Sequence, residues 1–392
     1  MKNLSLKSFG LVLFVFAISV ILTMYSMTSE DEEGKLLGQN YGYYLLPIVI
    51  VNLMICFTNI NKLNLSGFNA LIVLWGIMVT FNVIFGGPNL VVNLIRVNVW
   101  TTTFLSAFIL AKTNNNTMDF ITKLFLLIFF VSLFFFWQGK LFQQSELKRG
   151  MEESSNAIYC LITIVPFLLL LKNKGVGFAL LLVTFLCTVF SNKRGATIII
   201  ALILIPAMNS FFSKMKRKGL RNILVIFISS LVVYSFVNIG SSYVGGRLLE
   251  RFNYIDETGG AGRLEIWSNI IQDFQGSSLL EKLIGHGHRA VANVGWATAA
   301  HNDFLEVLYD YGLLGFIIYL AIHISLIKKS IKLRKANSQL FFPFVSMYMI
   351  FFIMSMVSIL IVQQRYLVYM AVFWGMLEGR NYNHQIVQNN TK

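Results

Sequence analysis

The chain has 392 residues, of which 56% are hydrophobic and 13% charged, with a formal net charge of +14. Soluble domains carry about 25% charged residues, so the composition excludes an ordinary soluble enzyme and indicates an integral membrane protein. The basic excess would suit a nucleic-acid binder only if it were concentrated on one soluble surface.

Lys2 and Lys7 precede an apolar run from Phe9 to Met27. The acidic stretch Glu30-Asp31-Glu32-Glu33 that follows does not resemble a small-residue cleavage site, so the run reads as a retained first span and not as a signal peptide. At about 20 apolar residues per crossing, the pattern predicts about twelve spans: 9–28, 41–59, 68–86, 90–111, 118–137, 155–171, 175–190, 195–212, 220–240, 304–327, 340–362 and 365–379. The expected fold is an all-α polytopic membrane bundle. Residues 1–240 hold nine helices, 241–303 form one large extracytoplasmic loop, 304–379 hold three more helices, and 380–392 form a cytoplasmic tail expected to be disordered. A second outer loop is expected at about 138–154.

With the N-terminus inside, one set of loops collects Lys62, Lys112, Lys172, Lys174, Lys214-Met215-Lys216-Arg217-Lys218, Lys328, Lys329, Lys332, Arg334, Lys335 and Arg380, with only Asp119 and Glu378 as acids. By the positive-inside rule this set is cytoplasmic. Membrane topology therefore accounts for the net charge without nucleic acid, and the basic clusters read as topology anchors and lipid-headgroup contacts. Cys56, Cys160 and Cys187 all lie in apolar segments, with no CxxC or Cys/His spacing, and read as small core residues.

Within 241–303, Leu264, Trp267, Ile270, Ile271 and Phe274 recur at helical spacing, opposite Arg263, Glu265, Asn269, Gln272 and Asp273. The pattern predicts an amphipathic helix on the membrane surface or over a cavity. Gly259-Gly260-Ala261-Gly262 is a flexible lead-in.

The chemistry-bearing residues fall at loop–helix junctions on the predicted outer side. His301, in Ala300-His301-Asn302-Asp303-Phe304-Leu305-Glu306, has polar neighbours and an imidazole able to take a proton near neutral pH. The competing reading is a helix-start residue, with Asp303 as N-cap and Glu306 three positions on in a capping-box-like arrangement. Arg194 opens the eighth span and Arg263 the amphipathic helix, where free N–H groups and a guanidinium together suit a phosphate. Arg247, Arg289 and Arg365 are further outer cations, and Arg96 lies inside the fourth span, within reach of the outer lipid-phosphate level or a cavity. For each arginine, interfacial snorkelling is the alternative. His286 and His288 flank Gly287 without an acidic or Cys partner, which points to loop geometry and no metal site. His323, deep in a span, reads as a packed polar residue. No Walker A motif, kinase set or Asp-x-Asp context occurs, so neither ATP nor a nucleotide sugar is indicated and no cofactor is expected.

These motifs resemble those of the O-antigen ligase/O-antigen polymerase superfamily of bacterial surface-glycan enzymes. The stretch from His301 to Gly315 is similar to the family signature, Arg194-Gly195 to its Arg-Gly motif, Arg263-Leu264-Glu265-Ile266-Trp267 to its Arg-x-x-x-Trp segment, and Gly285-His286-Gly287 to its Gly-x-Gly element. Ser155-Asn156 leading to Pro166 is also typical, and the resemblance covers roughly 154–378. It implies a GT-C-like, metal-independent membrane glycosyltransferase in the bacterial plasma membrane, with both termini cytoplasmic and the active site extracytoplasmic. The donor would be an oligosaccharide on undecaprenyl diphosphate. His301 would deprotonate the acceptor hydroxyl of a glycan, and Arg194 and Arg263 would hold the diphosphate. Arg96, Arg247, Arg289, Arg365 and Asn302 would assist substrate binding. Implied partners are membrane lipid, a chain-length regulator and a flippase, with no nucleic acid. A polymerase of lipid-linked O-antigen or capsule repeat units is favoured. The alternatives are a ligase acting on lipid A-core or protein and, from another class, a lipid-linked glycan flippase or transporter. Ionisable residues concentrated at the outer edge favour an enzyme over the transporter.

Overall fold

A computed structural model describes residues 35–36, 39–40, 42–63, 67–86, 90–114, 116–145, 157–191, 193–212, 262–294, 299–358, 360–361 and 364–390, apart from isolated positions. The expected spans 9–28 and 220–240, the 214–221 basic cluster, Arg247, and most of the 241–303 loop before Gly262 lie outside the described residues. Lys35–Leu36 and Gln39–Asn40 form a small antiparallel pair. The helices are α1 (Gly42–Thr58), α2 (Phe68–Gly86), α3 (Leu90–Thr113), α4 (Thr117–Ser145), α5 (Ile158–Leu168), α6 (Lys174–Phe190), α7 (Arg194–Phe212), α8 (Arg263–Gly276), α9 (Leu279–Ile284), α10 (Asp303–Lys335), α11 (Phe341–Val357) and α12 (Gln364–Asn390).

The chain is an all-α membrane protein. Among the described residues four stretches are long and apolar enough to cross a bilayer: Phe68–Phe85, Leu90–Thr113, Thr117–Leu141 and Asp303–Lys335. Shorter apolar helices occupy Leu45–Thr58, Ile158–Leu168, Lys174–Phe190, Gly195–Met208 and Phe341–Val357. Three boundaries differ from expectation. Helix α4 runs on to Ser145, into the first part of the expected 138–154 loop, and α10 carries the Lys328–Lys335 cations on its last turns. Beyond Glu378, α12 continues to Asn390 where a disordered tail was expected. Hydropathy marks where apolar runs stop, whereas backbone hydrogen bonding continues through polar residues with adequate helix propensity.

Close packing at the centre is set by small residues. Helix α12 lies along α3, with Gly375 against the Phe104 carbonyl and Gly379 against the Phe108 carbonyl; a Cβ at either position would collide with that backbone. The four-residue spacing puts both glycines on one face, the small-xxx-small arrangement that lets membrane helices approach closely. Around this pair, buried Trp75, Trp100, Tyr311, Tyr319, Phe351 and Trp374 form a network of edge-on and tilted ring contacts. The three cysteines are buried and form no disulfide. His323 is buried against Phe304, Tyr319, Tyr348, Phe351 and Phe352, the packed position expected for it.

Helix α10 is two helices across a break. Gly312 has φ 66 and ψ −170, a conformation essentially reserved for glycine. The break releases the carbonyls of Tyr309 and Asp310, which accept instead from the backbone N–H groups of His286 (3.1 Å) and Gly287 (3.0 Å). Gly285, at φ 86, allows this turn to approach Asp310. The loop geometry inferred for Gly285-His286-Gly287 is therefore a backbone seat on the α10 break. The part of α10 beyond Gly312 rises about 34 Å at 1.5 Å per residue, enough for a hydrocarbon core of about 30 Å.

Gly312→Ala should lower stability by about 3 kcal/mol or more, because the new Cβ is strained and meets the Leu283 carbonyl. Thermal unfolding of the purified protein in detergent measures this.

Candidate active site at the start of α10

The first segment of α10 carries Asp303, Glu306 and Asp310 on one face at helical spacing, all buried. Each carboxylate holds a different piece of backbone. Asp303 accepts the Ile361 N–H (3.1 and 3.2 Å to its two oxygens) and the Tyr319 hydroxyl (3.3 Å). Glu306 accepts the Ala300 N–H (2.7 Å). Asp310 accepts the N–H groups of Arg289 (2.7 Å) and Val291 (3.1 Å). Buried carboxylates require such partners. The expected cap is corrected here: Asn302, not Asp303, caps α10, accepting from Phe304 N (2.9 Å) and Leu305 N (3.3 Å). Asp303 is turned inward to tie down Ile361, so the capping-box reading fails one residue from the true cap.

The peptide preceding His301 is gripped on both sides. Glu306 takes the Ala300 N–H, and Trp267 Nε1 donates to the Ala300 carbonyl at 2.8 Å. Trp267 lies one turn after Arg263 on α8, so the Arg-x-x-x-Trp spacing places a cation and an indole donor on the same side of one helix. His301 itself has φ 53, in the left-handed region, which is uncommon for a non-glycine residue and marks a position held by its surroundings. Helix α8 packs Ile266 and Ile270 onto Ala290, Val291, Ala300 and Tyr309, with Trp267 and Phe274 alongside. Leu264 and Ile271, expected on its apolar face, are exposed. The buried stripe is thus rotated toward Ile266, because α8 packs on the α10 loop and not through the whole apolar set.

Arg263 and Lys193 lie within electrostatic reach of His301. Burial, then these two cations, hold its imidazole pKa below the ordinary histidine value. Arg263 is itself partly desolvated, which lowers its pKa, and the adjacent Tyr159 opposes that shift. Tyr159 stands in the first turn of α5. A Cβ on Gly195, in the first turn of α7, would lie 3.0 Å from the Tyr159 hydroxyl and 3.1 Å from Val357. Tyr159 also packs on Tyr366, in the first turn of α12 (5.8 Å between ring centroids). The N-terminal ends of α5, α7, α8, α10 and α12 therefore gather around His301 and Arg263. Unpaired N–H groups and the positive ends of helix dipoles favour an anion there.

The remaining expected residues divide into two groups. Arg194 is the first residue of α7 and Arg365 lies in the first turn of α12, both at the gathered helix starts by their backbones. Arg96, buried in α3, and exposed Arg289 lie instead beside His288. Burial, followed by these two arginines, lowers the His288 pKa to about 3, and its Nδ1 pairs with the Tyr311 hydroxyl at 2.6 Å. His286 pairs with Ser277 (2.8 Å) and with the Tyr309 carbonyl. Sequence reasoning missed Lys193, Tyr159, Trp267 and Glu306 as parts of the site. Lys193 was visible beside Arg194, and the indole N–H of Trp267 was a polar handle on an otherwise apolar face. Tyr159 carried no signal beyond its place at a span edge.

This arrangement defines an α-helical integral membrane protein with a cationic site and a neutral-biased histidine where several helices begin. The family model Wzy_C, O-antigen ligase, matches residues 178–320, which include Arg194, Arg263 and His301. Over these residues the chain is similar to the O-antigen ligase/O-antigen polymerase superfamily. No curated protein matches it at significant similarity.

Two outcomes are expected. In isotope-labelled protein His301 should titrate below the ordinary value of about 6.5, and Arg263→Gln, by removing one of the cations that disfavour the imidazolium, should raise that midpoint. Trp267→Phe, which keeps a ring but loses the donor to Ala300, should lower enzymatic activity about tenfold with little change in the amount of folded protein. A rate assay beside a melting curve separates these effects.

Proposed function

We propose that the protein is a polymerase of lipid-linked surface-polysaccharide repeat units, of O-antigen or capsule type, acting at the outer face of the bacterial plasma membrane. The donor is a glycan on undecaprenyl diphosphate and the acceptor a sugar hydroxyl of another lipid-linked unit. The acceptor oxygen attacks the anomeric carbon of the donor, and its proton passes to the His301 imidazole. The bond from that carbon to the diphosphate oxygen breaks with inversion, releasing undecaprenyl diphosphate. Arg194 and Arg263 hold the diphosphate, with Arg365 and Arg247 as further cations, and Arg96, Arg289 and Asn302 line or frame the substrate region. No metal or cofactor enters this scheme.

The observation that carries the reading is the placement of a histidine, its pKa lowered by burial and then by Arg263 and Lys193, beside those cations at converging helix N-termini. A general base must be unprotonated, and the cations that depress its pKa also suit a departing diphosphate. A good leaving group stabilised in this way has little need of a general acid. The family supports O-antigen ligase/polymerase-type chemistry on lipid-linked glycans. A second reading keeps the same donor and site and changes the acceptor to lipid A-core or protein; the ligase description of the matching family model favours it. A chain-length regulator and a flippase are the protein partners expected of the polymerase.

His301→Ala should lower transfer by about 10²–10⁴-fold. A purified variant retaining near-wild-type transfer would exclude the base assignment. Deleting the gene separates the acceptors: loss of long chains with single repeats still on the cell indicates the polymerase, and long chains accumulating on the carrier lipid indicate the ligase.

A further inference from the structure

At the far end of α10 from His301 lies a cavity of about 660 Å³ between the starts of α4 and α6, the ends of α5 and α10, and α12. Its lining includes Lys174, Lys329, Lys332 and Arg380, with Asp119 as the lining carboxylate. Asp119 already pairs with Lys172 (2.6 Å), and Lys329 with Glu378 (2.5 Å). Among the described residues around this cavity, cations therefore outnumber carboxylates. Arg380 Nη1 meets the Met118 sulfur, a neutral and weak acceptor, at 2.8 Å.

A second hollow of about 350 Å³ adjoins it and shares Lys174 and Gln339 in its wall. This one is apolar, lined by Leu168, Phe178, Ala207, Phe211, Phe342 and Pro343, with Phe178 and Phe211 stacked at 4.9 Å. A basic chamber beside an apolar groove between membrane helices, the two sharing a wall, has the polarity of an amphiphile with an anionic head and a hydrocarbon tail. Both volumes fall in the range of about 300–1,000 Å³ typical of ligand pockets. A free anion would match the chamber but gain nothing from the groove, and a zwitterionic lipid would match the groove but bring no net charge to the cations.

We propose that the chamber and groove together hold one anionic diacyl phospholipid, with its headgroup phosphate at Lys332 and Arg380, beside Lys174, whose Nζ donates to the Leu169 carbonyl at 2.9 Å, and one acyl chain along Phe178, Phe211 and Phe342. The site is separate from the His301 region, and α10 is the element common to both. The lipid clamps the last turns of α10 to α6 and α12.

The test uses the full-length protein in detergent and reads its melting temperature on addition of phosphatidylglycerol, phosphatidylcholine or inorganic phosphate. Phosphatidylglycerol should raise the midpoint by about 4 °C or more, with much smaller shifts for the other two. Lys332→Gln with Arg380→Gln should remove most of that gain, and Ala207→Leu, which fills the groove, should reduce it. If the double variant does not fold, Lys332→Gln alone, at an exposed position, should at least halve the shift. Equal shifts with phosphatidylcholine, or an undiminished shift in the charge variants, would overturn the proposal. A shift reproduced by phosphate alone would replace the lipid with a free anion.

Discussion

Three carboxylates buried along eight residues are the constraint on which the His301 region depends. Asp303, Glu306 and Asp310 project from one short helix, and each accepts from backbone in a different segment: Ile361 ahead of α12, Ala300 ahead of His301, and the turn at Arg289 and Val291. A buried carboxylate without donors is costly, so each loop is held where its N–H groups can meet an acidic side chain. The histidine lies in the middle of this arrangement. Its left-handed backbone is held between the Ala300 peptide, fastened by Glu306 and Trp267, and the Asn302 cap. Preorganisation of this kind is what the base role proposed for His301 would require.

The break at Gly312 serves the same end. A continuous helix would use the Tyr309 and Asp310 carbonyls internally and leave the Gly285-His286-Gly287 turn without acceptors. With the break, the turn is seated on α10 and positions Arg289 and His288 beside Arg96. Two cationic neighbourhoods result. One, around His301, comprises Arg263 and Lys193 at helix starts; the other, around His288, comprises Arg96 and Arg289. The first combines a titratable base with cations. In the second the histidine is too buried and too close to positive charge to take a proton near neutral pH.

Much of this was legible in the sequence, and the reason is specific. Apolar runs of bilayer length located most of the described helices to within a few residues, because hydrocarbon demands internally satisfied backbone. The junction residues Arg194, Arg263 and His301 stood out because polar groups at span edges are few. The carboxylate roles were not legible. Asp303 and Glu306 fit a local capping pattern, and only the fold reveals that their partners are at Ile361 and Ala300. Which part of the α8 apolar set is buried was likewise not legible: Leu264 and Ile271 obey helical periodicity as well as Ile266 does, and the position of the neighbouring loop decides among them. Gly375 and Gly379 passed as ordinary residues of a last span because their importance lies in what α3 presents to them.

That glycine pair bears on where the bundle can open toward the surrounding bilayer. Where two helices touch backbone to backbone, no side chains separate them that could swing aside to open a seam. The contact between α3 and α12 is thus a closed wall, and nothing can slide in from the bilayer between these two helices where the glycines meet.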